Sequence, residues 1–256
     1  EAEACYREAM ALRPDYAEAY SNLGNLLEGI DRSEEAKNYL LQAIALKPHF
    51  ADAHNNLGNT FHSLGEIVNA EESYRKAIAF KPDFAEAHNN LGNTLQKRGR
   101  LREAEVSLKN AIHFNEYYAE AHNNLGITNQ KLVRLKEAEK NYTQAVTLDP
   151  NFAQAHNNLG VVKQELGKLD EAEVIFNKSL LLNPNYADAK LNLSILLCYM
   201  NRIDSSVCLL NKLLNTCAEN TRLKTAVYLA ILSFIKGDLV QCKKFIFKSE
   251  KIQNKS

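Results

Sequence analysis

The chain of 256 residues has no excess charge of either sign: lysine plus arginine number 31, and so do aspartate plus glutamate. Nothing in that balance points to nucleic acid or to an anionic membrane as a partner. Long apolar runs are missing too. The longest, near 193–200 and 226–235, fall well short of the roughly 20 residues that span a bilayer, so no membrane insertion is expected. The five cysteines, Cys5, Cys198, Cys208, Cys217 and Cys242, are odd in number and form no C-x-x-C pair. That argues against a disulfide framework or a zinc site and suits a reducing, cytoplasmic setting, with the thiols acting as small buried hydrophobes. No phosphate loop, nucleophile elbow or paired zinc ligands occur. No cofactor, no metal and no catalysis are therefore expected in this stretch. There is no signal peptide and no initiator methionine, and Glu1 falls inside a repeat, which reads as a piece of a longer protein.

Proline is scarce, and its placement is regular. Pro14, Pro48, Pro82, Pro150 and Pro184 share a 34-residue period that only Glu116 interrupts. A period that long marks a supersecondary unit copied end to end. Such arrays offer extended surfaces, which favours binding over catalysis. Aligned on the prolines, residues 1–16 end a truncated repeat, 17–186 hold five regular repeats, 187–222 a degenerate one, and 223–256 a divergent helix pair serving as a cap or a junction to an additional domain.

Each repeat reads as two helices. In 85–118 the positions Phe84, Ala87, Leu91 and Leu95 have helical apolar spacing, as do Leu101, Ala104, Leu108, Ala111 and Ile112. Asp83 with Glu86 has the form of a capping box, repeated as Asp15 with Glu18 and Asn185 with Asp188. Gly65, Gly99 and Gly167 stand where the first helix should stop, and an X-Pro step closes the second. Gly24, Gly58, Gly92, Gly126 and Gly160 lie inside first helices, where glycine costs about 1 kcal/mol against alanine. Close helix approach, against Ala36, Ala70, Ala104, Ala138 and Ala172, is the expected return.

Asparagine recurs in register: Asn22, Asn56, Asn90, Asn124, Asn158 and Asn192 in one column, Asn55, Asn89, Asn123 and Asn157 beside it, and Asn25, Asn59 and Asn93 three residues on. Asparagine is a poor interior helix residue. Its repetition while second helices diverge (Glu72-Ser73-Tyr74 against Val106-Ser107-Leu108) suggests selection for ligand contact or for bonding between helices. The column His54, His88, His122 and His156 is spaced too widely to share one ion and reads as packing with a satisfied ring nitrogen.

These residues resemble the tetratricopeptide repeat, as in His54, Leu57, Gly58, Phe61, Ala70, Tyr74, Ala77 and Pro82. The His-Asn-Asn-Leu-Gly variant is similar to the arrays of O-linked N-acetylglucosamine transferases. The resemblance implies an all-α solenoid, a right-handed superhelix of stacked antiparallel helix pairs with first helices lining a concave groove. Asn22, Asn25, Asn56, Asn59, Asn90, Asn93, Asn124, Asn158 and Asn192 then become a peptide-binding ladder. Like positions lie on the order of 10 Å apart, so one carboxamide meets about every third residue of an extended peptide. The implied function is a protein-interaction scaffold with a protein or peptide partner. The alternative is the non-catalytic substrate-recognition arm of a larger protein glycosyltransferase. The neutral ladder, with acidic Glu18, Asp52, Glu86 and Glu120 beside it, disfavours capture of a C-terminal carboxylate by lysine and arginine. The ladder's end turns apolar at Ile127, Val161 and Ile195, and the last helix is basic through Lys243, Lys244, Lys248, Lys251 and Lys255.

Overall fold

A computed structural model describes residues 1–216 and 219–253; Cys217, Ala218 and Lys255 lie outside the described residues. All regular structure among them is α-helical. The chain forms two compact segments. The first, Glu1–Arg134, holds α1 (Ala2–Leu12), α2 (Ala17–Glu28), α3 (Ser33–Leu46), α4 (Ala51–Ser63), α5 (Ile67–Phe80), α6 (Ala85–Lys97), α7 (Leu101–Phe114) and α8 (Ala119–Lys131). The second begins at Leu135 and holds α9 (Leu135–Leu148), α10 (Ala153–Glu165), α11 (Leu169–Leu182), α12 (Ala187–Tyr199), α13 (Ile203–Thr216), α14 (Glu219–Ile235) and α15 (Leu239–Gln253). In both, each helix packs on its chain neighbours, and first helices also touch the first helix of the next repeat, as α2 touches α4 and α10 touches α12. No described helix is long and apolar enough to cross a membrane.

The first helix of each repeat stops in a left-handed residue. Gly65 and Gly99 take φ +77° and +75°, and Asp31, Val133 and Asn201 hold the equivalent slot at φ 59°, 61° and 58°. The turn is therefore set by its backbone bonds and not by glycine alone: Gly65 N–H donates to His62 O at 3.1 Å and Glu66 N–H to Phe61 O at 2.8 Å. Second helices end in extended residues such as Lys47, φ −138°, ψ 85°, which the following proline requires.

The capping boxes do not form. The N-cap positions are aromatic, Tyr16, Phe50, Phe84, Tyr118, Phe152 and Tyr186, without a side-chain cap bond. Asp83, Asp15 and Asn185 lie one residue before these N-cap positions.

The mid-helix glycines do mark close approach; a Cβ on Gly24 would lie 3.2 Å from the expected Ala36, at its carbonyl, but a larger side chain lies nearer at Gly24, Gly58, Gly92 and Gly160. A Cβ on Gly58 would lie 2.5 Å from Tyr74 Cε1, on Gly92 2.5 Å from Leu108 Cγ, on Gly24 2.6 Å from Leu40 Cγ, and on Gly160 2.7 Å from Phe176 Cε1. A large side chain one turn beyond the alanine fills each notch, while Ala36, Ala70, Ala104 and Ala172 are fully buried around it. One further expectation changes. Cys5 and Cys208 are exposed, and only Cys242 is buried among the described cysteines. On α14, Ile231, Phe234 and Ile235 are each at least half exposed.

Candidate functional site

The asparagine columns of the first segment are joined by side-chain bonds between repeats. Asn56 Nδ2 donates to Ser21 Oγ at 3.4 Å, Asn90 Nδ2 to Asn55 Oδ1 and Asn59 Oδ1 at 3.1 Å each, and Asn124 Nδ2 to Asn89 Oδ1 at 2.9 Å. In the second segment Asn192 Nδ2 donates to Asn157 Oδ1 at 3.0 Å. The inner column, Asn55, Asn89, Asn123 and Asn157, is buried. Asn55 Nδ2 donates onward to Glu86 Oε1 at 2.9 Å, and Asn89 Nδ2 to Tyr118 Oη at 3.4 Å. The outer column is open to solvent: Asn22 and Asn25 are exposed, and Asn56, Asn59, Asn90, Asn93, Asn124, Asn158 and Asn192 are half-buried.

The two columns differ in chemistry. The carboxamides of Asn56, Asn90, Asn124 and Asn192 are held by their N–H on the preceding repeat. Among the described residues no hydrogen bond engages Oδ1 of Asn56, Asn90 or Asn124. Pinned donors thus leave a row of acceptors at the surface of the first helices.

Several participants were not apparent in the sequence. Thr60, Thr94 and Thr128 turn their hydroxyls back onto the carbonyls of Asn56, Asn90 and Asn124 at 2.8–3.1 Å, and their 34-residue recurrence was the signal. Tyr74 Oη donates to Asn59 Oδ1 at 2.8 Å. Gln96 is buried, with Nε2 bonded to Asn124 O at 2.7 Å and Thr128 Oγ1 at 2.8 Å.

The histidine column is packing with a satisfied nitrogen. Nε2 of His54, His88 and His156 lies 2.9, 2.9 and 3.0 Å from the carbonyl of Pro48, Pro82 and Pro150, and His122 lies 3.4 Å from Glu116 O. Burial lowers the pKa of His54. Of the acidic residues, Glu18 accepts from Lys47 at 2.8 Å, which with the helix N-terminus accounts for its charge. No three His, Cys, Asp or Glu side chains among the described residues are placed to hold a metal ion.

A model described as TPR repeat matches residues 1–30, 58–99 and 134–167, and models described as tetratricopeptide repeat match 17–50, 85–116 and 153–186. No curated protein matches the sequence. Solved structures do match in fold. A chain of the APC/C hetero-tetramer Cut9–Hcn1 superposes with a TM-score of 0.76 at 18% identity, over 86% of this chain and 45% of that one. PilF of Pseudomonas aeruginosa gives 0.69 at 21% identity, over 91% and 97%. YrrB, described as a TPR protein with an unusual peptide-binding site, gives 0.58 at 25% identity, over 74% and 97%. The chain thus spans less than half the length of the Cut9–Hcn1 chain. Matches in most of the repeats, with the helix-pair architecture of these structures, establish that the chain belongs to the tetratricopeptide repeat family.

Proposed function

We propose that the protein is a non-catalytic interaction scaffold whose first helices bind an extended peptide along the outer asparagine column. The observation that carries this reading is the row of carboxamides at Asn56, Asn90 and Asn124, anchored through Nδ2 and free at Oδ1. An extended peptide presents backbone N–H groups, and a fixed acceptor meets them without a further ordering cost. Each such bond contributes roughly 0.5–1.5 kcal/mol net, so affinity grows with the number of repeats engaged and depends little on sequence. The description of YrrB, similar in fold at 25% identity, as having a peptide-binding site supports a peptide as the partner.

The test is a triple variant, Asn56→Ala, Asn90→Ala and Asn124→Ala. Peptide affinity should fall at least tenfold, about what the loss of 1.4 kcal/mol or more brings, while the helical circular dichroism signal persists. The melting temperature should drop by a few degrees, because the same substitutions remove bonds between repeats. A folded triple variant that binds peptides as the wild type does would refute the reading.

A further inference from the structure

The first helices α4 and α6, with α5 behind them, enclose a cavity of about 210 Å³ lined by Asn59, His62, Ser63, Tyr74, Asn90 and Asn93. Its lining is particular to this repeat. One repeat earlier the positions of His62 and Tyr74 hold Glu28 and Leu40; one repeat later they hold Gln96 and Leu108. Gln96 is buried and bonded to Asn124 and Thr128, so it offers nothing to a ligand.

The uncommitted groups around this cavity hold more donors than acceptors, the acceptors being Asn90 Oδ1 and Asn93 Oδ1. Asn59 Oδ1 accepts from both Tyr74 Oη, at 2.8 Å, and Asn90 Nδ2, at 3.1 Å. That fixes the carboxamide and leaves its Nδ2 uncommitted. Among the described residues no hydrogen bond engages Nδ2 of Asn59 or the side chain of Asn93. At the rim, Lys97 Nζ lies 2.6 Å from His62 Nε2. An ammonium only donates, so His62 accepts and its ring is neutral. Burial, and then the charge of Lys97, lower the His62 pKa, which agrees with that assignment. Lys97 is exposed and keeps two further N–H donors. The neighbouring carboxylate, Glu28, accepts from the Ser63 hydroxyl through Oε1, while its buried Oε2 has no hydrogen-bond partner among the described residues.

Two unpaired amide groups and one ammonium suit a ligand that carries negative charge and only accepts hydrogen bonds. We propose that this cavity is an anchoring subsite for one acidic side chain, aspartate or glutamate, of the peptide that lies along the asparagine column. The inference rests on the peptide-groove reading above and adds what that reading lacks. A ladder of identical acceptors holds a backbone equally well at every shift of register; a single charged subsite selects one register.

Fluorescently labelled peptides of about 15 residues, long enough at roughly 3.3 Å per residue to pass four repeats, provide the test. Their background is serine and glycine, with a single central Glu, Gln or Lys. Anisotropy titrations at low salt should show the Glu peptide binding about tenfold more tightly than the Gln peptide, the change a charge-assisted hydrogen bond brings. Lys97→Met, at an exposed position that leaves the helices intact, should abolish that preference. Equal binding of the Glu and Gln peptides, preference for the Lys peptide, or a Lys97→Met variant that weakens both alike would overturn the subsite while leaving the groove standing. Failure of all three peptides to bind the wild type would overturn both.

Discussion

Glycine in the middle of a helix costs about 1 kcal/mol relative to alanine, and Gly58 stands well inside α4. Propensity alone therefore predicts that Gly58→Ala stabilises the protein. The packing predicts the reverse. The new methyl would lie 2.5 Å from the Tyr74 ring, which is itself buried and tied by its hydroxyl to Asn59. Overpacking of this kind costs roughly 1–3 kcal/mol, so Gly58→Ala should lower the unfolding free energy by up to about 2 kcal/mol net, read from urea denaturation. An unchanged or raised midpoint would show that α4 and α5 have room to part. At this scale the sequence was legible in kind. The recurring glycine announced close approach, and the recurring histidine announced a satisfied packing residue. Which side chain enters the notch was not legible: Leu40, Tyr74, Leu108 and Phe176 differ in chemistry, and only their common distance of 16 residues from the glycine identifies the role.

At the level of elements, ion pairs join successive repeats at a constant separation of 29 residues. They are Glu3–Arg32 at 2.8 Å, Lys37–Glu66 at 3.1 Å, Glu71–Arg100 at 2.6 Å and Glu105–Arg134 at 3.0 Å in the first segment, with Glu139–Lys168 at 2.7 Å and Glu173–Arg202 at 2.6 Å in the second. The second pair is reversed. Exposed pairs contribute little individually, but a reversed pair carries information, because a repeat displaced by one step would bring like charges together. Lys37→Glu should therefore lower the Tm, and Lys37→Glu combined with Glu66→Lys should restore most of the loss, since the double variant recreates the orientation of its neighbours. No recovery in the double variant would mean that this pair does not couple the two repeats. Neither this series nor the aromatic N-caps was read from the sequence. Charges were compared down single columns, whereas the partners lie in different columns. Capping by hydrogen-bonding type points to Asp15, Asp83 and Asn185, whereas the helices begin one residue later, after an aromatic that makes no side-chain cap bond. The asparagine columns were found, but not the division of labour within each carboxamide, because donor and acceptor ends separate only when the preceding repeat is in place.

For the molecule as a whole, what matters is how far a local loss travels. Within each segment every packed pair of helices is one or two apart in chain order, so no contact ties distant repeats directly and stability is a sum of neighbouring interfaces. Glu71 allows a direct test. Its carboxylate is buried and bonded to Arg75, Arg98 and Arg100. Burial pushes its pKa up, but the three guanidinium hydrogen bonds outweigh that and hold it below the usual carboxylate range. A folded-state pKa below the unfolded one means that the stabilisation is present above the unfolded value and is lost as pH falls through the folded one. Glu71→Gln should therefore destabilise the wild-type array at pH 7 by about 1–3 kcal/mol, with the difference shrinking as pH falls below about 4. The three arginines are each about one-third or more exposed and can turn to water, which keeps the loss below that of a fully buried charge left unpaired. In a nearest-neighbour array the damage stays near its source. Hydrogen exchange in Glu71→Gln should quicken in α5, α6 and α7 and remain at wild-type rates in α12 and α13. Uniform acceleration along the whole chain would instead mean that the array unfolds as one cooperative body, coupled more strongly than its adjacent contacts require.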